Sequence, residues 1–131
     1  MSTHFKAIND VHGHEAGDQL LTAVADAIRG ALRAGDMPCR YGGEEFLILI
    51  TAIDTDALAQ RAAKIRERVA AVRVDHRGAP LPGITLSAGI ALYPDDGATA
   101  NDVVQAADAA LYAAKRAGRD RTLTAREHGR V

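Results

Sequence analysis

Two adjacent glycines, Gly42 and Gly43, separate two short apolar runs and are followed at once by two carboxylates, Glu44 and Glu45. Residues 38–41 lead in, and residues 46–50 lead out as an extended run. Glycine adopts positive φ without a Cβ clash, so Gly-Gly between two such runs reads as a tight hairpin turn. A chain with this hairpin has to build a sheet. The turn lifts two acidic side chains to the rim of that sheet, and its bare backbone lets a bulky ligand come close. Paired carboxylates on a rigid turn suit a hard divalent cation such as Mg²⁺, which takes oxygen ligands and brings phosphates with it. A surface hairpin with two solvated acids is the plainer reading of the same residues.

The rest of the pattern says what covers the sheet. Leu20, Leu21, Val24, Ile28 and Leu32 recur at helical spacing and predict a helix over about residues 17–33. Leu58, Ala62, Ile65, Val69 and Val72 follow the same rule, with Asp54 or Thr55 as N-cap. Val104, Ala107, Leu111 and Ala114 mark a third helix that Gly118 closes. Strands are expected at 39–41, 46–50, 73–76 and 84–92, the last two joined by a turn at 77–80, with a short final strand at 122–124. Asn9 reads by itself as a turn residue, and His12 and His14 as loop. This order gives an α/β (α+β) sandwich, helices against a mainly antiparallel sheet. The domain is expected over 1–124, and 125–131 as a frayed polar tail.

With 131 residues the chain is one domain, and 47% hydrophobic residues suffice for a core. A net charge of −1 argues against a general nucleic-acid or membrane-surface role. One cysteine, Cys39, excludes an intrachain disulfide and fits a reducing cytosol. It reads as a small buried hydrophobe in a strand. No apolar run is long enough to span a bilayer, and no secretory signal opens the sequence, so the expected location is cytoplasmic.

Further blocks stand in register around Arg40-Tyr41-Gly42-Gly43-Glu44-Glu45-Phe46. Upstream are Phe5-Lys6-Ala7-Ile8-Asn9-Asp10 and Gly13-His14-Glu15-Ala16-Gly17-Asp18. Downstream are Ser87-Ala88-Gly89-Ile90-Ala91, then Ala107-Asp108-Ala109-Ala110-Leu111-Tyr112-Ala113-Ala114-Lys115, then Gly118-Arg119-Asp120-Arg121. The ordered set resembles the GGDEF family, the diguanylate cyclases, in its GGEEF form, over nearly all of residues 5–123.

The resemblance implies a nucleotidyl-cyclase and polymerase-palm-like fold. It implies a reaction in which two GTP molecules are joined into cyclic di-GMP with release of pyrophosphate, most simply by a homodimer with one GTP per domain. It makes Glu44 the ligand of Mg²⁺ or Mn²⁺, and Glu45 either a partner of that metal or the group that helps deprotonate the attacking hydroxyl. Asn9 and Asp18 match the positions that read guanine. Asp18 also suits a helix start. Lys115 and Arg119, with backbone N–H groups near His4 and Phe5, match the phosphate contacts. The two cations share one face if the helix persists past Gly118. Arg33-Ala34-Gly35-Asp36 resembles the inhibitory RxxD motif that binds product, with Lys64 where a second arginine often assists. A helix C-terminus with a polar turn is the other reading there.

The family normally reads Asp-x-Asp-x-Phe where this chain has Met1, Ser2, Thr3, His4 and Phe5. The first aspartate, a metal ligand in the family, aligns with Met1. The first family strand is therefore expected to be missing and metal affinity to be reduced. The alternative function is a weak or inactive module that binds cyclic di-GMP or GTP.

Overall fold

The computed structural model describes residues 1–40, 44–52 and 54–129. The signature turn at Gly42 and Gly43 lies outside the described residues.

The hairpin arms pair as expected. Strand β2 (Met37–Arg40) runs antiparallel to β3 (Phe46–Leu49), with Arg40 opposite Phe46 and Met37 opposite Leu49. Strand β6 (Leu86–Ile90) is buried at all its residues but Gly89, because both its neighbours and the helices cover it. It pairs antiparallel with β1 (Ser2–Thr3) and parallel with β7 (Thr122–Thr124). A bridge from Ser2 to Glu45 joins the hairpin to this group, so the strands run β2, β3, β1, β6, β7. Where the first family strand was expected to be missing, a two-residue strand, β1, stands in its place. It is held because Thr3 N donates to Glu44 O at 3.0 Å and Phe46 N to Met1 O at 2.7 Å.

The small hairpin of β4 (Asp75–His76) and β5 (Ala79–Pro80) corrects a second expectation. The positive φ of Arg77 and Gly78 closes the turn on residues 79–80, not on the strand that follows.

Helix α1 (Lys6–His12) was not anticipated from the sequence. Seven residues with only Ile8 buried are too short to show a periodicity. Helix α2 (His14–Ala31) buries Leu20, Val24 and Ile28, as their spacing requires. Helix α3 (Thr55–Ala70) begins at the expected cap, where the Asp54 carboxylate accepts from Ala57 N at 2.8 Å. Helix α4 (Ala100–Arg116) starts on Thr99, whose hydroxyl accepts from Asp102 N at 3.1 Å. Residues 125–129 are no frayed tail: they form α5 (Ala125–Gly129). Thr124 and Glu127 exchange backbone-to-side-chain bonds at 3.0 Å each, a reciprocal capping box.

The main apolar cluster joins Phe5, Leu20, Val24, Ile28, Phe46, Ile65, Val69 and Leu86. Each such side chain contributes about 1.5–3 kcal/mol relative to exposure. Cys39 is exposed, against expectation, because β2 is the outermost strand and no further strand covers it among the described residues. Helix α4 lies directly on β6 at Gly89. A Cβ at that position would overlap Ala107 O and stand 2.9 Å from Leu111 Cα.

Candidate active site

Glu45 and Lys115 lie far apart in sequence and meet at the end of the sheet. Lys115 Nζ stands 3.1 Å from Glu45 Oε1, and the two side chains keep 24% and 31% of their exposure. The contact exists because α4 packs on Gly89 and delivers its last turn, with Lys115, to the start of β3. Glu44 is half-buried, and its carbonyl accepts from both Thr3 N (3.0 Å) and Thr3 Oγ1 (3.3 Å). Asp108, which sequence reasoning left without a role, lies seven residues before Lys115, on the same stretch of α4, and lines the same groove as Glu45.

The Met1 ammonium donates to Phe46 O at 2.8 Å. Burial pushes its pKa down to about 6, against the pull of Glu45 and Asp108 upward. At this position the family resemblance expects a carboxylate, and this chain has methionine.

Asn9 is brought against the first turns of α2, which carry Asp18, by the break at Gly13, whose φ of 92° turns α1 back against α2. Gly17, the residue before Asp18, gives the Asn9 amide room: a Cβ there would overlap Asn9 Oδ1 and stand 2.5 Å from its Cγ. Asn9 Oδ1 is buried and has no hydrogen-bond partner among the described residues. An orphan acceptor of this kind costs about 1–3 kcal/mol, which a ligand donor would recover. Asp18 is exposed.

Phe5 is buried at the N-cap position of α1, its carbonyl accepting from Ile8 N and Asn9 N at 2.9 and 3.1 Å. The shared helical face of Lys115 and Arg119 is not formed. Helix α4 ends at Arg116, and Gly118, Arg119 and Asp120 all take positive φ. Arg119 N instead donates to Ala114 O at 3.0 Å, wrapping the chain around the helix end.

Arg33 and Asp36 form a tight turn before β2, with Asp36 N donating to Arg33 O at 3.0 Å. The Asp36 carboxylate accepts from Arg33 N at 2.7 Å and from the Arg61 guanidinium of α3. Arg61 and Asp36 side chains retain only 10% and 5% of their exposure. The Arg33 amide first, then Arg61, holds the Asp36 carboxyl below its ordinary value. Arg33, Arg61 and Lys64 line one pocket with Thr51 and Gln60. Arg61 was missed by sequence reasoning, although it stands three residues before Lys64 on the same helix face.

The metal implied by the resemblance can be tested against this geometry. Glu44 offers one carboxylate, Glu45 is held by Lys115, and Met1 has an apolar side chain where the family has its first aspartate. No cluster of three or more His, Cys, Asp or Glu that could hold a metal exists among the described residues. This donor set does not fit Mg²⁺, which demands near-octahedral oxygen coordination.

No helix among the described residues is long and apolar enough to cross a membrane. The chain is 46% identical over 119 residues to the diguanylate cyclase DgcP of Pseudomonas aeruginosa, which covers 90% of this chain and 17% of that protein. It is 37% identical over 121 residues to the probable diguanylate cyclase DgcT of Escherichia coli, covering 92% and 27%. The chain thus spans less than a third of these curated relatives. The GGDEF domain of DgcB from Caulobacter crescentus, solved in complex with c-di-GMP, superposes with a TM-score of 0.82 at 32% identity, covering 95% of this chain and 74% of that one. The active GGEEF domain of a diguanylate cyclase from Vibrio cholerae gives 0.78 at 31%, covering 94% and 79%. Residues 2–121 match the family described as diguanylate cyclase, GGDEF domain, and to that family this chain belongs.

Proposed function

We propose that this chain acts as a diguanylate cyclase domain, over residues 1–124, in the cytoplasm. It would condense two GTP into cyclic di-GMP and release two pyrophosphates, with two copies face to face. The observation that carries the reading is the Lys115–Glu45 pair, a phosphate-type cation held on a signature carboxylate. In each copy the Asn9 amide and the Asp18 carboxylate read one guanine edge, the carboxylate accepting from N1–H and the exocyclic amine. Lys115 and Arg119, with backbone N–H groups near His4 and Phe5, hold the phosphates. The 3′-hydroxyl of each nucleotide attacks the α-phosphorus of the other. The new P–O bond forms as the α–β phosphoanhydride breaks, and the hydroxyl proton is released. Positioning supplies most of the acceleration in such a transfer.

Mg²⁺ or Mn²⁺ is the family's expected cofactor, and the donor set here is short of one carboxylate, so turnover is expected to be slow. Arg33, Asp36 and Lys64, with Arg61, would form the product-inhibition site, since three cations line one pocket. GTP turnover by this chain, beside a Met1→Asp variant carried behind a cleavable leader, tests the reading. Product from the variant at well above the parent rate is expected. Failure of both folded proteins to bind GTP would overturn it.

A further inference from the structure

Three consecutive residues between α4 and β7 take positive φ: Gly118 at 117°, Arg119 at 62° and Asp120 at 45°. Glycine does this freely. The other two carry a Cβ and hold the left-handed conformation only where their surroundings impose it. The helix side supplies two bonds, Gly118 N to Lys115 O at 3.3 Å and Arg119 N to Ala114 O at 3.0 Å. The sheet side supplies one, from Asp120 N to the Oγ of buried Ser87 at 3.1 Å. Arg121 Nε folds back on Arg119 O at 2.9 Å.

The remaining contact comes from α3. Arg66 donates from Nη2 to Asp120 Oδ1 at 3.0 Å, from Nη1 to Thr122 Oγ1 at 3.4 Å and from Nε to Leu86 O at 3.1 Å. Strand parity explains the last bond. Ala88 N donates to Arg121 O, so Ala88 faces the β7 side, and Leu86, two residues earlier, turns its carbonyl the same way. The β6–β7 ladder starts only at Ala88, which leaves that carbonyl to the guanidinium. One planar fork thus ties α3, the start of β6, β7 and the loop together. A lysine ammonium, a single point charge, cannot serve three acceptors in that geometry. The Arg66 side chain keeps 25% of its exposure and that of Asp120 60%, so the fork is anchored on the protected side and reaches outward to the loop.

We propose that Arg66 is a positioning residue for the phosphate contact: through Asp120 it fixes the 118–120 loop, so that Arg119 is already aimed when the nucleotide arrives. The inference rests on the reading of Arg119 as a phosphate cation. Arg66 acts through Asp120 and not on the nucleotide. A side chain held in place beforehand loses less freedom on binding, and the contact it makes is correspondingly tighter.

The test compares the parent chain with Arg66→Gln and Asp120→Asn, by amide hydrogen exchange at Arg119 and Asp120 and by calorimetric titration with GTP. Exchange at these two amides is expected to speed up by about tenfold in either variant. GTP affinity is expected to fall by about fivefold or more in both. The Asp120 variant carries the decisive sign. Removing a carboxylate next to Arg119 makes the local field more positive, so charge alone would tighten the hold on a polyanion, whereas a loosened loop weakens it. Asparagine also tolerates the left-handed backbone, so this variant stays folded even if Arg66→Gln, which strands Leu86 O, does not. In an Arg119→Met background neither substitution should change GTP affinity further. Unchanged exchange at both amides overturns the proposal. So does tighter GTP binding by Asp120→Asn, or a full additional loss of affinity in the Arg119→Met background. These three outcomes leave the reading of the nucleotide site standing. A folded parent chain that binds no GTP overturns that reading, and this inference with it.

Discussion

A single methyl group at Gly89 tests how the candidate site is assembled. In Gly89→Ala the new Cβ would overlap the Ala107 carbonyl and stand 2.9 Å from Leu111 Cα. Carbon atoms rest at about 3.5–4.0 Å, so α4 has to retreat by about 1 Å at its point of contact with β6. The obstructing atoms belong to helix backbone and have no rotamer to change. Overpacking of this type costs about 1–3 kcal/mol, and a rigid obstruction belongs near the top of that range. At roughly 4 °C per kcal/mol for a domain of this size, the midpoint of thermal unfolding should fall by about 10 °C. Lys115 rides on α4, so its 3.1 Å contact with Glu45 should open in the same variant. Scanning calorimetry reads the first effect, and the loss of GTP affinity by titration calorimetry reads the second. A midpoint within about 2 °C of the parent, with GTP binding intact, would refute the claim that α4 backbone contact with Gly89 positions the site.

Gly17→Ala forces the Asn9 amide aside, since the obstructing atoms are the far end of a side chain; stability should change by under about 1 kcal/mol while GTP affinity drops about tenfold, read by calorimetry. Lys115→Met removes a partly exposed ion pair worth about 0–1 kcal/mol, so the unfolding midpoint should hardly move while GTP affinity falls. Asp36 has a folded pKa below the ordinary 3.8, so the folded state binds fewer protons there. Its contribution to stability is complete above 3.8 and is lost as pH falls through the lowered value. Acid unfolding of Asp36→Asn should therefore show a shallower loss of stability below that pH than the parent, by circular dichroism.

The three long helices were legible because each buries one face at helical spacing, and the Asp54 cap was legible because its side chain sits where first-turn amides need an acceptor. Helix α1 was not, since seven residues with one buried side chain carry no period and Asn9 alone suggests a turn. The strand at Cys39 could be read, but which strand is outermost depends on sheet order, a tertiary fact. The RxxD spacing located Arg33 and Asp36 in one turn. It could not reveal that Arg61 of another helix holds the same carboxylate. Glu45 and Lys115 could be named from family blocks, while their contact follows only from Gly89 and the fit of α4 above it.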